Sequence, residues 1–314
     1  MSYVEFHSRS AFSFLQGTSH PEAMAQVAAQ RGLPAIALTD TNGFYGSARM
    51  HAAAREQGIH AIVGTELLLQ GGSRLPVIAK TRRGYQQLCR CLTRALLRAE
   101  KGEACLTPDD LVELSNQVTP GEDLAVLTGD TEGPLFQAWR TLGKAGVAQT
   151  IEELQKLFGS KSLWLEIQRH HLRGEEQWNQ LMVDAAGATG LPLLATNGVT
   201  YATLPERKVY DIFSCLHHHT HLDRASLLLA ANSQRYLKTP GQMRALFHDL
   251  PQAVDHTLQL HDQLDFSLEN LGYEFPRYPV PSGENMDSFL RKLTYFGAEQ
   301  RYRGITPRAT PAGA

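Results

Sequence analysis

Glu5 and His7 stand two residues apart in the opening stretch YVEFHSRSAFSFLQG, so on a strand both side chains point to one side. A carboxylate and an imidazole on one face are metal-ligand types. They are followed at once by Ser8, Arg9 and Ser10, a polar knot that an ordinary buried strand would not carry. Similar groups recur at the ends of later apolar segments: Asp40, Glu66, Gln168 with His170, and Asn197. In parallel α/β architectures the carboxyl ends of strands converge on one mouth, where sites form. The same residues could instead cap helices and satisfy loop backbone.

Two further clusters could do chemistry. His217, His218, His219 and His221 fall together in CLHHHTHLD. A fixed metal site needs ligands converging from rigid elements, whereas consecutive loop residues splay apart, so this cluster reads as an exposed loop that binds nickel or zinc adventitiously. Arg83, Arg90, Arg94, Arg98 and Lys101 recur at helical spacing opposite an apolar face of Tyr85, Leu88, Leu92, Ala95, Leu96 and Ala99. Such a stripe is either a solvated helix face or a track for phosphates or an acidic partner. Cys89 and Cys91 are two apart in that same helical pattern and diverge, which lacks zinc geometry. No phosphate-binding loop, dinucleotide fingerprint, nucleophile elbow or HExxH helix is present.

The elements that must position these groups are short β-prone runs separated by helical patterns. VEFH, PAIALTD (34–40), AIVGTELLL (61–69), LPVIAK (75–80), DLAVLTG (123–129), LWLEIQ (163–168) and LPLLATN (191–197) make seven expected strands. Ser19-His20-Pro21-Glu22 and Thr107-Pro108-Asp109-Asp110 read as capped helix starts. Strand and helix alternating this often implies a parallel sheet. After Asn197 the pattern becomes helical, closing a domain over residues 1–271. A Pro- and Gly-rich linker follows at 272–285, then a helix at 286–304 and a disordered tail at 305–314. The 314 residues are 42% hydrophobic, enough for a substantial core, and 30 basic against 32 acidic residues give no global pull toward nucleic acid or membrane. Four cysteines suggest no disulfide framework, and the cytoplasm is the expected compartment.

Read in order, these strand ends resemble the polymerase-and-histidinol-phosphatase (PHP) domain at the N-terminus of bacterial C-family DNA polymerase α subunits. EFHSRSAFSFLQG, ALTDTNGFYGSARMHAAAREQGIHAIVGTEL, PVIAKTRRGYQQLCRCL, WLEIQRH, LLATNGVTY and RYLKTPGQMRALF carry the resemblance, in that family's order and spacing. EFHSRSAFSFLQG, SHPE and TNGFYG are most similar to the error-prone, mutagenesis-associated branch. FPRYPVPSGENMDSFLRKLTYFGAEQRY resembles the entry into the polymerase thumb.

The resemblance implies a distorted (β/α)7 barrel of the PHP type. It also implies about nine His, Asp and Glu ligands holding up to three metal ions for phosphoester hydrolysis. Of those positions Glu5, His7, Glu66 and His170 keep ligand types, while Gln16, Thr41, Arg74, Gly198 and Thr200 do not. Four ligands could hold one zinc or manganese ion but not a cluster that activates water. Arg74 is expected to pair with Glu5 or Glu66 and to stand in for the missing charge. The implied role is structural and partner-docking within an error-prone polymerase acting in translesion synthesis. The polymerising site and its Mg²⁺ would lie outside these residues, DNA would be engaged through the full-length polymerase, and translesion proteins and the sliding clamp are the implied partners. The other reading is an active metal-dependent phosphoesterase or 3′–5′ exonuclease with a reduced site.

Overall fold

All but the first of the seven apolar segments form regular strands: β1 (Ala35–Leu38), β2 (His60–Leu68), β3 (Arg74–Ala79), β4 (Leu124–Leu127), β5 (Leu163–Ile167) and β6 (Leu193–Ala195). They lie side by side in that order in the computed structural model, which describes residues 2–271 and 277–303. The first segment pairs through isolated parallel bridges, Glu5 with Ile36 and Ser8 with Val199. Ala37 N–H donates to the Glu5 carbonyl at 2.8 Å and Val199 N–H to the His7 carbonyl at 2.9 Å, so this segment joins β1 to the stretch after β6. The sheet thereby curls round on itself as a distorted (β/α)7 barrel.

The all-parallel expectation needs correction. β1–β2, β4–β5 and β5–β6 are parallel, but β3 runs antiparallel to both β2 and β4. The cause is the turn at Gly71 and Gly72, whose φ values of +98° and +89° suit a tight hairpin and leave no chain for a crossover helix. Arg74, the first residue of β3, therefore pairs with Leu68 at the carboxyl end of β2 rather than at the opposite end.

Side chains alternate across the sheet. Ala35, Ala37, Ile62, Ile78, Ala125, Leu127, Trp164 and Leu194 form the barrel interior with Val4 and Phe6. Ile36, Val63, Val77, Val126 and Leu165 face outward onto helices through Met24, Leu88, Ile151 and Met182. One end of the interior is plugged by Leu260 from the helix Pro251–His261. Thr107 caps the helix Pro108–Gln117 with a full capping box, as its sequence implies. Ser19 does not cap: the helix Pro21–Gln30 starts after His20, and the Ser19 hydroxyl instead donates to Glu206 at 3.0 Å.

The chain divides into two units, Met1–Glu269 and Asn270–Ala314. The second contains the helix Met286–Tyr302, capped by Asn285. Of the expected linker, 272–276 lie outside the described residues, as do 304 and the tail 305–314. Among the described residues no helix is long and apolar enough to cross a membrane.

Candidate functional site

The carboxyl ends of the strands bring a buried network of acids and bases together. His7 sits between two carboxylates, with Nε2 2.6 Å from Glu66 Oε1 and Nδ1 2.6 Å from Glu166 Oε1. Burial disfavours its charged form, but the charges of Glu166 and Glu66 and their hydrogen bonds prevail and raise its pKa well above the ordinary value. Arg9 clamps Glu66 with Nε at 2.8 Å and Nη2 at 2.7 Å, and Nη2 also reaches Glu132. For Glu66 burial pushes the pKa up, yet Arg9 and His7 pull it far below the carboxylate range. Beside them Arg235 donates to Asp130 at 3.0 Å and to the Gly198 carbonyl at 3.2 Å. Glu166 also accepts from Gln168 at 2.8 Å and from Thr196.

The residues proposed as ligands from sequence are all buried, but they do not converge on a cation. Glu5 turns away: it accepts from Tyr3 Oη at 2.8 Å and from the His7 and Asn197 amides at 2.9 and 3.0 Å, and burial raises its pKa to about 7. His170 bonds the Asn197 carbonyl through Nε2 at 2.9 Å and lies 3.3 Å from Glu175 through Nδ1. His7 is spent on Glu66 and Glu166, and Glu66 on His7 and Arg9. Glu166 Oε2 and Gln168 Oε1, one carboxylate and one amide oxygen, are among the buried oxygens without a hydrogen-bond partner. Among the described residues no group of three His, Cys, Asp or Glu side chains is arranged to hold a metal ion. The side chains present therefore do not fit the multi-metal centre implied above.

Arg74 reaches the mouth but is not the principal cation there. Its Nη1 donates to Thr41 at 2.7 Å and stands 3.5 Å from Glu66, and it makes no pair with Glu5. Arg9, the more deeply buried of the two, holds Glu66 at 2.7 and 2.8 Å, closer than Arg74 comes. Thr41 accepts from Arg74 and donates toward Glu66 at 3.2 Å. Gln16, Thr41 and Arg74 line a cavity of about 800 Å³ with Phe12, Tyr45 and Lys101. Gly198 adopts φ +52°, and a Cβ there would lie 2.6 Å from both Arg235 and Gln168, so no ligand-bearing side chain fits without rearrangement. Thr200 is buried with its hydroxyl unpartnered.

Two of the five cations of the basic stripe pair with the next helix, Pro108–Gln117. In the helix Arg82–Arg98, Arg94 pairs with Glu113 and Arg98 with Asp110 at 2.7 Å, while Arg83 lies 3.6 Å from Asp123. Arg90 faces the small cleft beside Glu113, and Lys101 lies past the helix end. Part of the stripe thus forms a seam between helices. His217 and His218 stack edge to face at the end of the helix Arg207–His217, with centroids 4.8 Å apart, and join no metal-holding group.

Arg9 was marked in the sequence as part of the polar knot but given no partner, and sequence reasoning missed Asp130, Glu132, Glu166 and Arg235. Glu166 had a signal, because Trp164, Glu166 and Gln168 alternate onto one face of LWLEIQ. The others come from loops, where no period marks direction.

The fold and site together define an α/β barrel of seven segments whose strand ends meet in a buried polar network. The model of the PHP domain family matches residues 5–170, and the chain belongs to that family. An error-prone DNA polymerase of Symbiobacterium thermophilum is 32% identical over 98% of this chain and 29% of its own length. That of Mycolicibacterium paratuberculosis is 33% identical over 96% of this chain and 28% of its own. The chain thus spans under a third of the curated relatives it matches. Among solved structures, a two-domain protein of Bacteroides vulgatus containing a predicted PHP-like metal-dependent phosphoesterase aligns at 16% identity and TM-score 0.43, covering 78% of this chain and 69% of that one.

Proposed function

We propose that this chain is the PHP barrel of an error-prone C-family DNA polymerase acting in damage-induced mutagenesis and translesion synthesis, and that the barrel works as a scaffold and docking platform. The observation that carries the structural role is His7 held at 2.6 Å by both Glu66 and Glu166, with Arg9 forked onto Glu66. Hydrolysis in a PHP centre needs metal ions to lower the pKa of water and to neutralise phosphate charge. Here positive charge is supplied by His7, Arg9 and Arg235, which are paired with Glu66, Glu166 and Asp130. Residues 1–271 are read as the barrel with its closing helices, and the helix Met286–Tyr302 as the start of the thumb. Nucleotidyl transfer with Mg²⁺, contact with DNA, the sliding clamp and translesion proteins as partners, and a cytoplasmic location all belong to the full-length polymerase in this reading.

The experiment is hydrolysis of p-nitrophenyl phosphate and of 3′-labelled single-stranded DNA by the tag-free chain with Mn²⁺ or Zn²⁺. No turnover above buffer is expected. Turnover abolished by His7→Ala or His170→Ala would instead establish a reduced but active phosphoesterase or exonuclease.

A further inference from the structure

His60 and His261 face each other across 201 residues of chain, with Nδ1 of the first 3.2 Å from Nε2 of the second. His60 is the first residue of β2 and His261 the last of the helix Pro251–His261. The pair therefore lies at the plugged end of the barrel, about 20 Å of strand away from Glu66. From this geometry we infer a second, unassigned cation site: His60 and His261 form a two-histidine clip for a borderline divalent ion of the zinc class.

Three observations support it. Two metal–nitrogen bonds of about 2.0–2.1 Å at a near-tetrahedral angle place their nitrogens about 3.3 Å apart, close to the spacing found. His60 also has a backbone partner, and a carboxylate stands near His261 beyond hydrogen-bond distance. His60 hydrogen-bonds the backbone of Phe266, and His261 Nδ1 lies 3.8 Å from Asp262 Oδ1. A ligating histidine commonly donates its far N–H to a carbonyl or carboxylate, which directs the bare nitrogen at the metal. Finally, the site is reachable, since the His261 side chain is 26% exposed. His51 and Asp262 are the other titratable groups that act on the pair. With two protein ligands, water completes the coordination, and the ion ties the end of the closing helix to β2 beside the Leu260 plug.

The test is zinc titration by calorimetry into the full chain carrying His217→Gln, His218→Gln, His219→Gln and His221→Gln, which removes the exposed cluster. One equivalent should bind and raise the melting temperature. His60→Gln and His261→Gln should each weaken that binding at least about tenfold. Copper paramagnetic resonance should show two nitrogen donors in the parent and fewer in His261→Gln, a substitution at a helix end that leaves the fold standing. Unchanged zinc affinity in both variants, absence of zinc binding in the parent, or loss of binding on His7→Ala alone would each overturn the assignment.

Discussion

Glu66 is fully buried and is held by Arg9 at 2.7 and 2.8 Å, while Arg74 reaches it only at 3.5 Å. Removing one member of a buried, hydrogen-bonded pair strands the other charge, typically at about 3–5 kcal/mol. Arg9→Ala should cost that much, and Arg74→Ala distinctly less because its side chain is 14% exposed and its closest bond is to the Thr41 hydroxyl. Urea melts of the two variants compare them directly; equal losses would mean that the rim and the interior share the charge evenly. Glu5 gives a pH signature. Its native pKa of about 7 lies above the usual carboxylate value, so the folded state holds a proton that the unfolded state releases first. This stabilisation is fully present below about pH 4.5 and is lost as pH rises through 7, on the order of 3 kcal/mol in all. Denaturant midpoints measured between pH 4.5 and 7 should fall for the parent and flatten for Glu5→Gln. The contact of His7 with Glu66 was legible because strand ends converge, whereas Glu5 and His170, grouped with them by the family resemblance, turn to other partners. Those partners were not legible, since hydrogen bonds between loops leave no period in the sequence.

The seven segments were legible from runs of apolar residues, and their direction was not. Periodicity is blind to strand sense, which the turns decide. The pair Gly71-Gly72 between two apolar runs is a hairpin signal that outweighs the repeating strand-helix pattern around it. Reversal of β3 is what delivers Arg74 to the mouth. The basic helix teaches a related lesson: its charged face met Asp110, Glu113 and Asp123 of the following segment, a tertiary pairing that helical spacing alone does not disclose. That helix also depends on one close approach. A Cβ on Gly84 would lie 2.1 Å from the Asp123 carbonyl oxygen, which is backbone and has little freedom to move. Gly84→Ala should therefore destabilise the barrel by about 1–3 kcal/mol despite its better helix propensity, as read by thermal melting. A neutral or raised melting temperature would show that the loop before β4 can shift.

Across the whole barrel, the interior and the helix-facing layer are built from buried apolar side chains. The mouth itself is balanced by protein charges, with His7, Arg9 and Arg235 set against Glu66, Glu166 and Asp130. A protein whose fold is linked to a metal loses the whole binding free energy on chelation, whereas one stabilised by its core loses nothing. The clip at the far end would confuse this comparison, so the informative protein is the double variant His60→Gln, His261→Gln. Its melting temperature should move by no more than about 2 °C when EDTA is added, because a change near 1 kcal/mol already shifts a domain of this size by about 2–4 °C. A larger fall, restored by Mn²⁺ or Zn²⁺, would place a stabilising ion among the mouth residues, where Glu166 Oε2, Gln168 Oε1 and the Thr200 hydroxyl are buried oxygens without a partner.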